Sequence, residues 1–287
     1  MTDKDKMKIG AHQSIAGGLH LAPKRAAANG LECFQIFTKA PQSWQEPELS
    51  REQIVLFRNA CQTHGFTDNQ IAVHASYLVN PCSANETTRQ KAVAALTAES
   101  VRCDLLHIPF LVFHPGSPGK LNKSDGISLV SEAILPALEA SSNVTVLIEN
   151  TAGSGKSIGY NFDHIAAIIA KAGASDRIGC CFDTAHAFAA GYDISTPKKA
   201  TAVFEAFDQI IGFNRLKWIH INDSRTGLGS RVDRHEKIGD GRIGKKFFQW
   251  MVNQPFTAHI NGTLETPLEK NETYKADVSA LKALRKR

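Results

Sequence analysis

The sequence contains no apolar run long enough to cross a lipid bilayer, and residues 1–8 are charged and lack an apolar core. We therefore expect neither a membrane-spanning segment nor a signal peptide. There is no CxxC pair, and the six cysteines do not have the spacing of a small disulfide-rich domain. Reduced thiols in a cytoplasmic protein are the expectation. Neither sign of charge dominates, because the net charge is only +5. This mild excess permits a polyanionic partner but does not by itself indicate one.

No linker or low-complexity segment divides the chain, so residues 1–287 are predicted to form a single domain. Eight short apolar segments are predicted to be strands: Lys8–His12, Phe34–Thr38, Ile71–His74, Leu111–His114, Val144–Glu149, Ile178–Asp183, Leu216–Asn222 and Thr263–Thr266. The space between successive segments fits one helix and two loops each time. Eight such units predict a closed (β/α)8 barrel, the TIM barrel. A doubly wound open sheet is the alternative, although its usual number of strands is lower.

Helix signals lie between these strands. Ser50 begins a capping box, and Asn161 and Thr196 are further N-cap residues. The segment from Asn85 to Leu106 predicts a helix with one apolar face, formed by Ala92, Ala95, Leu96 and Val101. The last predicted helix runs from Glu272 to Lys286, and we interpret its basic end, residues 285–287, as a solvated helix terminus. Contact of this end with nucleic acid is the alternative.

Six of the predicted strands lead into a histidine, aspartate or glutamate: His74, His114, Glu149, Asp183, His220 and Glu265. Three more such residues follow the sixth and seventh strands: His186, Asp233 and His235. In a (β/α)8 barrel the carboxyl ends of the strands form the active-site face. Five histidines and four carboxylates, with no cysteine, suit zinc and also manganese or iron. Nine ligands are too many for one ion, so we predict two or three ions that share a carboxylate.

The chemistry that this cluster predicts is hydrolysis at phosphorus. Buried carboxylates are costly without cations, and adjacent divalent ions can bind a phosphate and activate a water. The segment between Ser224 and Gly244 adds five cations: Arg225, Arg231, Arg234, Lys237 and Arg242. Glycines at 227, 229, 239 and 241 are expected to let the backbone approach a phosphate chain. An ordinary flexible loop is the alternative.

Two further patterns are discounted. Residues 153–157 (GSGKS) look like part of a phosphate-binding P-loop, but Asn150 stands where that motif requires glycine. We therefore expect no nucleotide cofactor and predict an active-site loop after the fifth strand. Asp183 and His186 are spaced as in a hydrolytic relay, yet Thr184 is the only nearby hydroxyl and no nucleophile elbow is present.

Several stretches resemble the endonuclease IV family of apurinic/apyrimidinic (AP) endonucleases. They are residues 10–14 (GAHQS), 113–117 (FHPGS), 148–153 (IENTAG), 183–193 (DTAHAFAAGYD), 220–224 (HINDS) and 229–241 (GSRVDRHEKIGDG). The resemblance implies a xylose-isomerase-like TIM barrel and a zinc-dependent enzyme of base excision repair. Such an enzyme cuts duplex DNA 5′ to an abasic site, leaves a 3′-hydroxyl and a 5′-deoxyribose phosphate, and also removes 3′-blocking groups. The expected setting is a monomer in the bacterial-type cytoplasm and nucleoid, bound to DNA and not to membranes.

The same resemblance implies a trinuclear zinc site in which Mn²⁺ can replace zinc at one position. Its three ligand sets would be His74, His114 and Glu149; Glu149, Asp183, His220 and Glu265; and His186, Asp233 and His235. Glu149 would bridge two ions and act as the catalytic carboxylate. The implied DNA contacts are His12, Gln42, Tyr77, Arg231 and Arg234, and the family often has arginine where Gln42 stands. Trp44 either helps in this contact or packs its loop onto the barrel.

Two other functions compete with this hypothesis. Related barrels place divalent metals on the same rim, so a sugar isomerase or epimerase is the second enzyme reading. A DNA-binding or metal-storing protein without turnover is the third. The nine ligand-type residues and the arginine-rich loop after the seventh strand favour phosphodiester chemistry.

Overall fold

Eight parallel strands close into a barrel in this computed structural model, which describes residues 6–270 and 272–286. They are β1 (Lys8–His12), β2 (Phe34–Ile36), β3 (Ile71–His74), β4 (Phe110–Phe113), β5 (Thr145–Glu149), β6 (Ile178–Asp183), β7 (Leu216–His220) and β10 (Asn261–Leu264). Each strand pairs with its neighbours in chain order, and β10 closes the barrel against β1. The predicted (β/α)8 barrel is confirmed. A two-stranded antiparallel hairpin, β8 (Asp223–Ser224) and β9 (His235–Glu236), lies in the connection after β7.

The helices surround this barrel. They are α1 (Leu21–Ala28), α2 (Arg51–Thr63), α3 (Glu86–Leu106), α4 (Lys123–Glu139), α5 (Phe162–Lys171), α6 (Thr184–Ala190), α7 (Pro197–Ile210), α8 (Lys245–Met251) and α9 (Lys275–Ala283). The predicted starts of α2, α5 and α7 are confirmed, because Ser50, Asn161 and Thr196 each accept a hydrogen bond from a backbone N–H of the first turn. Caps of this kind satisfy donors that have no partner inside the helix.

The interior of the barrel decides where the ligand-type side chains point. Its apolar layer consists of Cys33, Ala72, Val112, Leu147, Cys181 and Trp218. Successive side chains of a strand alternate between its two faces. A residue two positions after an interior residue therefore also faces the barrel axis, one layer nearer the carboxyl end. His74, His114, Glu149, Asp183 and His220 each stand in that position.

The barrel wall is tight enough to require glycine in β1. A Cβ atom on Gly10 would overlap the backbone carbonyl of Cys33, which immediately precedes β2. The indole N–H of Trp218, which is buried in the interior, donates to the Thr263 hydroxyl at 2.9 Å. Close packing and a satisfied donor fix the strand ends, and with them the side chains of the rim.

Several sequence predictions are corrected. Four strands end earlier than predicted, namely β2, β4, β7 and β10, so His114 and Glu265 lie just beyond their strands. Val101 does not lie on the buried face of α3, since it is 38% exposed. The last helix is shorter than residues 272–286, and Arg287 lies outside the described residues. No helix within residues 6–270 and 272–286 is both long and apolar enough to cross a membrane.

Within the basic end of the chain, Arg285 is not solvated as predicted, whereas Lys286 is exposed. The guanidinium of Arg285 forms an ion pair with Glu32 at 2.6 Å and donates to the Met7 carbonyl. Lys282 lies 3.2 Å from the same carboxylate. These contacts fasten α9 to the amino-terminal end of the barrel, and the dipole argument is not needed to explain the cations.

Candidate metal centre

Glu149 lies at the centre of the carboxyl face of the barrel, and four histidines surround it. Its side chain is fully buried. One carboxylate oxygen lies 3.0 Å from Nε2 of His74 and 3.1 Å from Nε2 of His114. The other lies 3.1 Å from Nδ1 of both His186 and His220. A single carboxylate in contact with four histidines from separate parts of the barrel rim is well placed to bridge two cations.

The ligand-type atoms form groups whose members lie within 4.8 Å of one another, as metal binding requires. Two groups coincide with the predicted ligand sets: His74, His114 and Glu149; and Glu149, Asp183, His220 and Glu265. The third group is Asp183, His186 and His235. The predicted member Asp233 adjoins this group, with its carboxylate 3.1 Å from His186 and 3.4 Å from His235, but its side chain is 47% exposed.

Cys181 also lies in this neighbourhood, although the predicted ligand set contains no cysteine. Its sulfur groups with Glu149 and His220, because residue 181 occupies the interior layer directly below Asp183. Burial raises the pKa of the Cys181 thiol to about 12. The thiol is therefore protonated at neutral pH, and it lines the floor of the site.

Backbone carbonyls orient three of the histidines. Nδ1 of His74 lies 2.7 Å from the carbonyl of Ala75, Nδ1 of His186 lies 2.9 Å from that of Asn150, and Nδ1 of His235 lies 3.2 Å from that of Glu265. A carbonyl can only accept, so each Nδ1 carries a proton and donates it, which leaves Nε2 as the nitrogen that a metal ion would bind in place of a proton. Nε2 of His186 and of His235 are buried and make no well-directed hydrogen bond within the described part of the chain, and the carboxylate oxygens of Asp233 lie 3.1 and 3.4 Å from them. Buried nitrogens left without a donor are what a coordinated metal ion would satisfy.

The electrostatics of the site favour a cation. Burial alone would raise the pKa of Glu149, but the charges of His220 and His114 outweigh it and hold that pKa well below its usual range. Burial also disfavours a charged His186, yet Asp183 and Asp233 raise its pKa well above the ordinary value. The carboxylates thus draw protons onto the histidines, and a divalent ion would compete with those protons for the same nitrogens.

A polar layer around the ligands was not predicted. Gln35 is fully buried, donates to Glu265 at 2.7 Å, and lies with its amide oxygen 2.9 Å from Nε2 of His220. The amide of Asn222 donates to Asp183 at 2.7 Å and accepts from the backbone N–H of Glu265 at 2.8 Å. The signal for Gln35 was in the sequence, since it is the one polar residue inside the apolar stretch of residues 33–37.

A cavity of about 510 Å³ lies over these ligands. His12, Tyr77 and Arg234, three of the five predicted DNA contacts, line it together with Arg225. Burial lowers the pKa of His12 to about 4, so its ring is neutral at pH 7. The Tyr77 ring is 66% exposed and meets Phe37 edge-on at 5.2 Å between centroids.

The other two predicted contacts lie outside the cavity. Gln42 is exposed on the loop after β2, and Arg231 stacks over the ring of Tyr160 at 4.1 Å. The expectation for the glycines at 239 and 241 is wrong. Their backbone N–H groups donate to the carboxylate of Asp223 at 2.9 and 3.2 Å, so the chain approaches a protein anion closely at these positions.

Comparisons with known proteins agree with this geometry. The family model described as the xylose isomerase-like TIM barrel matches residues 23–284. A probable endonuclease 4 of Chlorobium phaeovibrioides is 38% identical over 278 residues, which are 96% of this chain and 99% of that protein. The crystal structure of endonuclease IV from Thermus thermophilus matches with a TM-score of 0.84 and 35% identity, over 96% of this chain and 98% of that one.

A 3-keto-D-glucoside 4-epimerase from E. coli shares the fold alone, at 12% identity and a TM-score of 0.69, with 97% of this chain and 99% of that one covered. The barrel fold, the sequence identity of 38% and 35% over 96% of the chain, and the clustered ligand-type residues lead to one assignment. This chain belongs to the endonuclease IV family.

Proposed function

We propose that this protein is a zinc-dependent DNA-repair endonuclease that hydrolyses the phosphodiester 5′ to an abasic site in duplex DNA. The products would be a 3′-hydroxyl and a 5′-deoxyribose phosphate, and 3′-blocking groups would be removed at the same site. The observation that carries the proposal is Glu149, buried among four histidines beneath a cavity that two arginines line. The proposed enzyme is a single-domain monomer that works in the cytoplasm and needs no nucleotide cofactor.

Three zinc ions fit the donor set. His74, His114 and Glu149 would hold the first, and Glu149, Asp183, His220 and Glu265 the second. His186, His235 and Asp233 would hold the third, and the Asp233 carboxylate already lies 3.1 and 3.4 Å from the Nε2 atoms of the two histidines. Bound divalent ions supply Lewis acidity toward the phosphate and lower the pKa of a coordinated water.

The chain's own residues would orient the substrate over this centre. Arg225 and Arg234 line the cavity, where their guanidinium groups can hold the phosphate that flanks the abasic sugar. The abasic nucleotide has to leave the helix, and unstacking costs least where the base is already missing. The exposed ring of Tyr77 can stack on the bases that remain, an interaction worth about 1–3 kcal/mol in comparable sites.

The test is cleavage of one duplex oligonucleotide that carries a single abasic site, with an intact duplex and simple ketoses as alternative substrates. We expect cleavage 5′ to the lesion, an extendable 3′ end, and about three zinc ions per chain by elemental analysis. Turnover of a ketose without cleavage of abasic DNA would make the epimerase reading correct instead. Stable DNA binding without any turnover would indicate a binding protein. One ion or none in undepleted protein would overturn the trinuclear assignment.

A further inference from the structure

Three segments of the carboxyl face, two loops and the start of a helix, meet at one tyrosine beside the cavity. Lys123 begins α4, Tyr160 lies in the loop after β5, and Arg231 lies in the loop after β7. The ammonium group of Lys123 donates to the Tyr160 hydroxyl at 3.0 Å and lies 5.3 Å from the ring centroid. The Arg231 guanidinium lies 4.1 Å from the same centroid. Two cations therefore share one aromatic ring, a contact that stabilises each of them modestly.

The backbone holds Arg231 in an unusual conformation. Its φ is +58°, in the left-handed region that non-glycine residues seldom adopt. Its N–H donates to the Ala189 carbonyl at 3.0 Å, and its own carbonyl accepts from the Ser154 hydroxyl at 2.8 Å. A Cβ atom on Gly153 would overlap the guanidinium. The loops after β5 and β7 and helix α6 thus fix the guanidinium over Tyr160 before any ligand arrives.

Neither cation is neutralised. Across residues 6–270 and 272–286, Lys123 and Arg231 form no ion pair with a carboxylate, whereas Lys199, Lys237 and Arg285 each do. The ring of His164 meets Tyr160 edge-on at 4.9 Å, and burial followed by the charge of Lys123 lowers the pKa of that imidazole. Asp163, on the same helix as His164, acts in the opposite direction but contacts neither cation. The arrangement keeps two like charges together with no protein anion between them.

We propose that Lys123, Tyr160 and Arg231 form a binding site for one backbone phosphodiester of the DNA. A phosphate offers several strong acceptor oxygens, and a preorganised guanidinium beside an ammonium is suited to them. Arg231 lies two residues from Asp233, which lines the cavity, so this site sits at its margin and takes a phosphate other than the scissile one. It positions the duplex and carries no sequence information. The inference rests on the proposed function, because it assumes a DNA substrate.

The experiment measures the affinity of the zinc-loaded protein for abasic duplex by fluorescence anisotropy over a series of salt concentrations. Each phosphate contact contributes about one unit to the slope of log affinity against log salt. We expect Lys123→Ala and Arg231→Ala each to weaken binding and to reduce the slope by about one. Tyr160→Ala should weaken it as well, and Tyr160→Phe should weaken it less, because the ring that supports Arg231 remains. Lys171→Ala, which removes the same charge from the opposite end of α5, should leave affinity and slope unchanged.

Phosphate ethylation interference identifies the source of the anion. In the parent protein, ethylation of one particular phosphate should weaken binding, because that phosphate contacts the site. In Lys123→Ala and Arg231→Ala, ethylation at that position should no longer weaken binding. If no position is lost and millimolar inorganic phosphate competes only with the parent, the site takes free phosphate and the proposal is wrong. It is equally wrong if slope and affinity are unchanged in both variants. Zinc content is measured for each variant, so that a disturbed Asp233 is not mistaken for a lost phosphate contact.

The two proposals fail separately. If the parent protein does not cut abasic DNA, the proposed function is wrong, while the salt slopes and the interference pattern on bound duplex still report on this site. If cleavage proceeds and the slopes of Lys123→Ala and Arg231→Ala equal those of Lys171→Ala, only the phosphate site is wrong.

Discussion

Replacing Asp223 by asparagine tests how the loop that carries Asp233 and His235 is held. Asp223 is fully buried, and no lysine or arginine pairs with it in the described part of the chain. Its charge is met by backbone groups instead. One oxygen accepts from the N–H groups of Ser224 and Ile243 at 2.8 and 2.9 Å, and the other accepts from those of Gly239, Gly241 and Gly244 at 2.9, 3.2 and 3.4 Å.

The size of the effect follows from these contacts. Asparagine keeps the shape of Asp223, but one of its two acceptor atoms becomes an amide donor that faces two or three other donors. A hydrogen bond to a charged group contributes about 1.5–3 kcal/mol, so the loss of two predicts a destabilisation of roughly 3–6 kcal/mol. Burial raises the pKa of Asp223 and offsets part of that stabilisation. We therefore expect the free energy of unfolding to fall by about 3 kcal/mol, the low end of this range.

The assay is urea unfolding of zinc-saturated protein, followed by limited trypsin digestion at Arg234 and Lys237. Asp240→Asn is the matched control, because Asp240 is exposed in the same loop and should change the free energy of unfolding by no more than about 0.5 kcal/mol. Asp223→Asn should also lose zinc from the third ligand group, since β8 pairs with β9, which bears His235. Identical unfolding curves, trypsin rates and zinc contents in parent and Asp223→Asn would refute the reasoning.

Three further outcomes are expected. Glu149→Gln should lose zinc and most of the cleavage activity, because the carboxylate belongs to two ligand groups. The control Glu139→Gln, at the exposed end of α4, should keep its zinc and its activity. Elemental analysis measures the zinc, and initial rates measure the cleavage. Tyr77→Ala should reduce the preference for abasic over intact duplex about tenfold, within the range of base stacking, and an unchanged ratio of binding constants would exclude the ring from recognition. Burial opposes ionisation of Glu32, but bonding to Arg285 lowers its pKa to about 2. Its stabilisation is therefore complete above the ordinary glutamate pKa and is lost as the pH falls toward 2. In denaturant titrations, Glu32→Gln should make the free energy of unfolding fall less steeply as the pH is lowered. An unchanged pH dependence would contradict the ion pair.

The positions of the candidate metal ligands could be predicted from the sequence because strand geometry determines them. Parallel strands end at one face, and the period of two carries an interior residue such as Leu147 to the next interior position, Glu149. A short shift in a strand boundary does not change this alternation. His114 therefore faces the site although β4 ends at Phe113, one residue earlier than predicted.

The remaining features depend on contacts that no local pattern encodes. Arg285 meets Glu32 across 253 residues of sequence, so its basic segment resembled a solvated terminus. The membership of the third ligand group depends on how the hairpin of β8 and β9 places His235 next to Asp183. The glycines of the same loop were interpreted as a phosphate cradle because glycine indicates close approach without showing what is approached. For Gly239 and Gly241 that partner is Asp223, whose five backbone hydrogen bonds cannot be read from spacing.

The loop after β2 shows which side chain is free to probe DNA. The sequence left two roles open for Trp44, and the structure packs its ring, partly buried, against the hydrophobic core. Arg102, buried on α3, fastens the loop through an ion pair with Glu46 at 2.7 Å, and the hydroxyl of Ser76 donates to the loop carbonyl of Pro41 at 2.6 Å. Ser76 immediately precedes Tyr77, so this hydrogen bond ties the loop after β3 to the loop after β2, which Arg102 holds in place.

Under the proposed function, this arrangement places lesion recognition on Tyr77. Its ring rests on Phe37 and is exposed, while Trp44 would have to leave the core to reach a base. Gln42, on the fastened loop, lacks the charge and the planar donor group of arginine. Because the backbone beneath Tyr77 is already ordered, insertion costs little further conformational entropy, and more of the stacking energy remains for discrimination. Trp44→Phe should therefore preserve the preference for abasic duplex that Tyr77→Ala reduces, and the opposite result would transfer the recognition to Trp44.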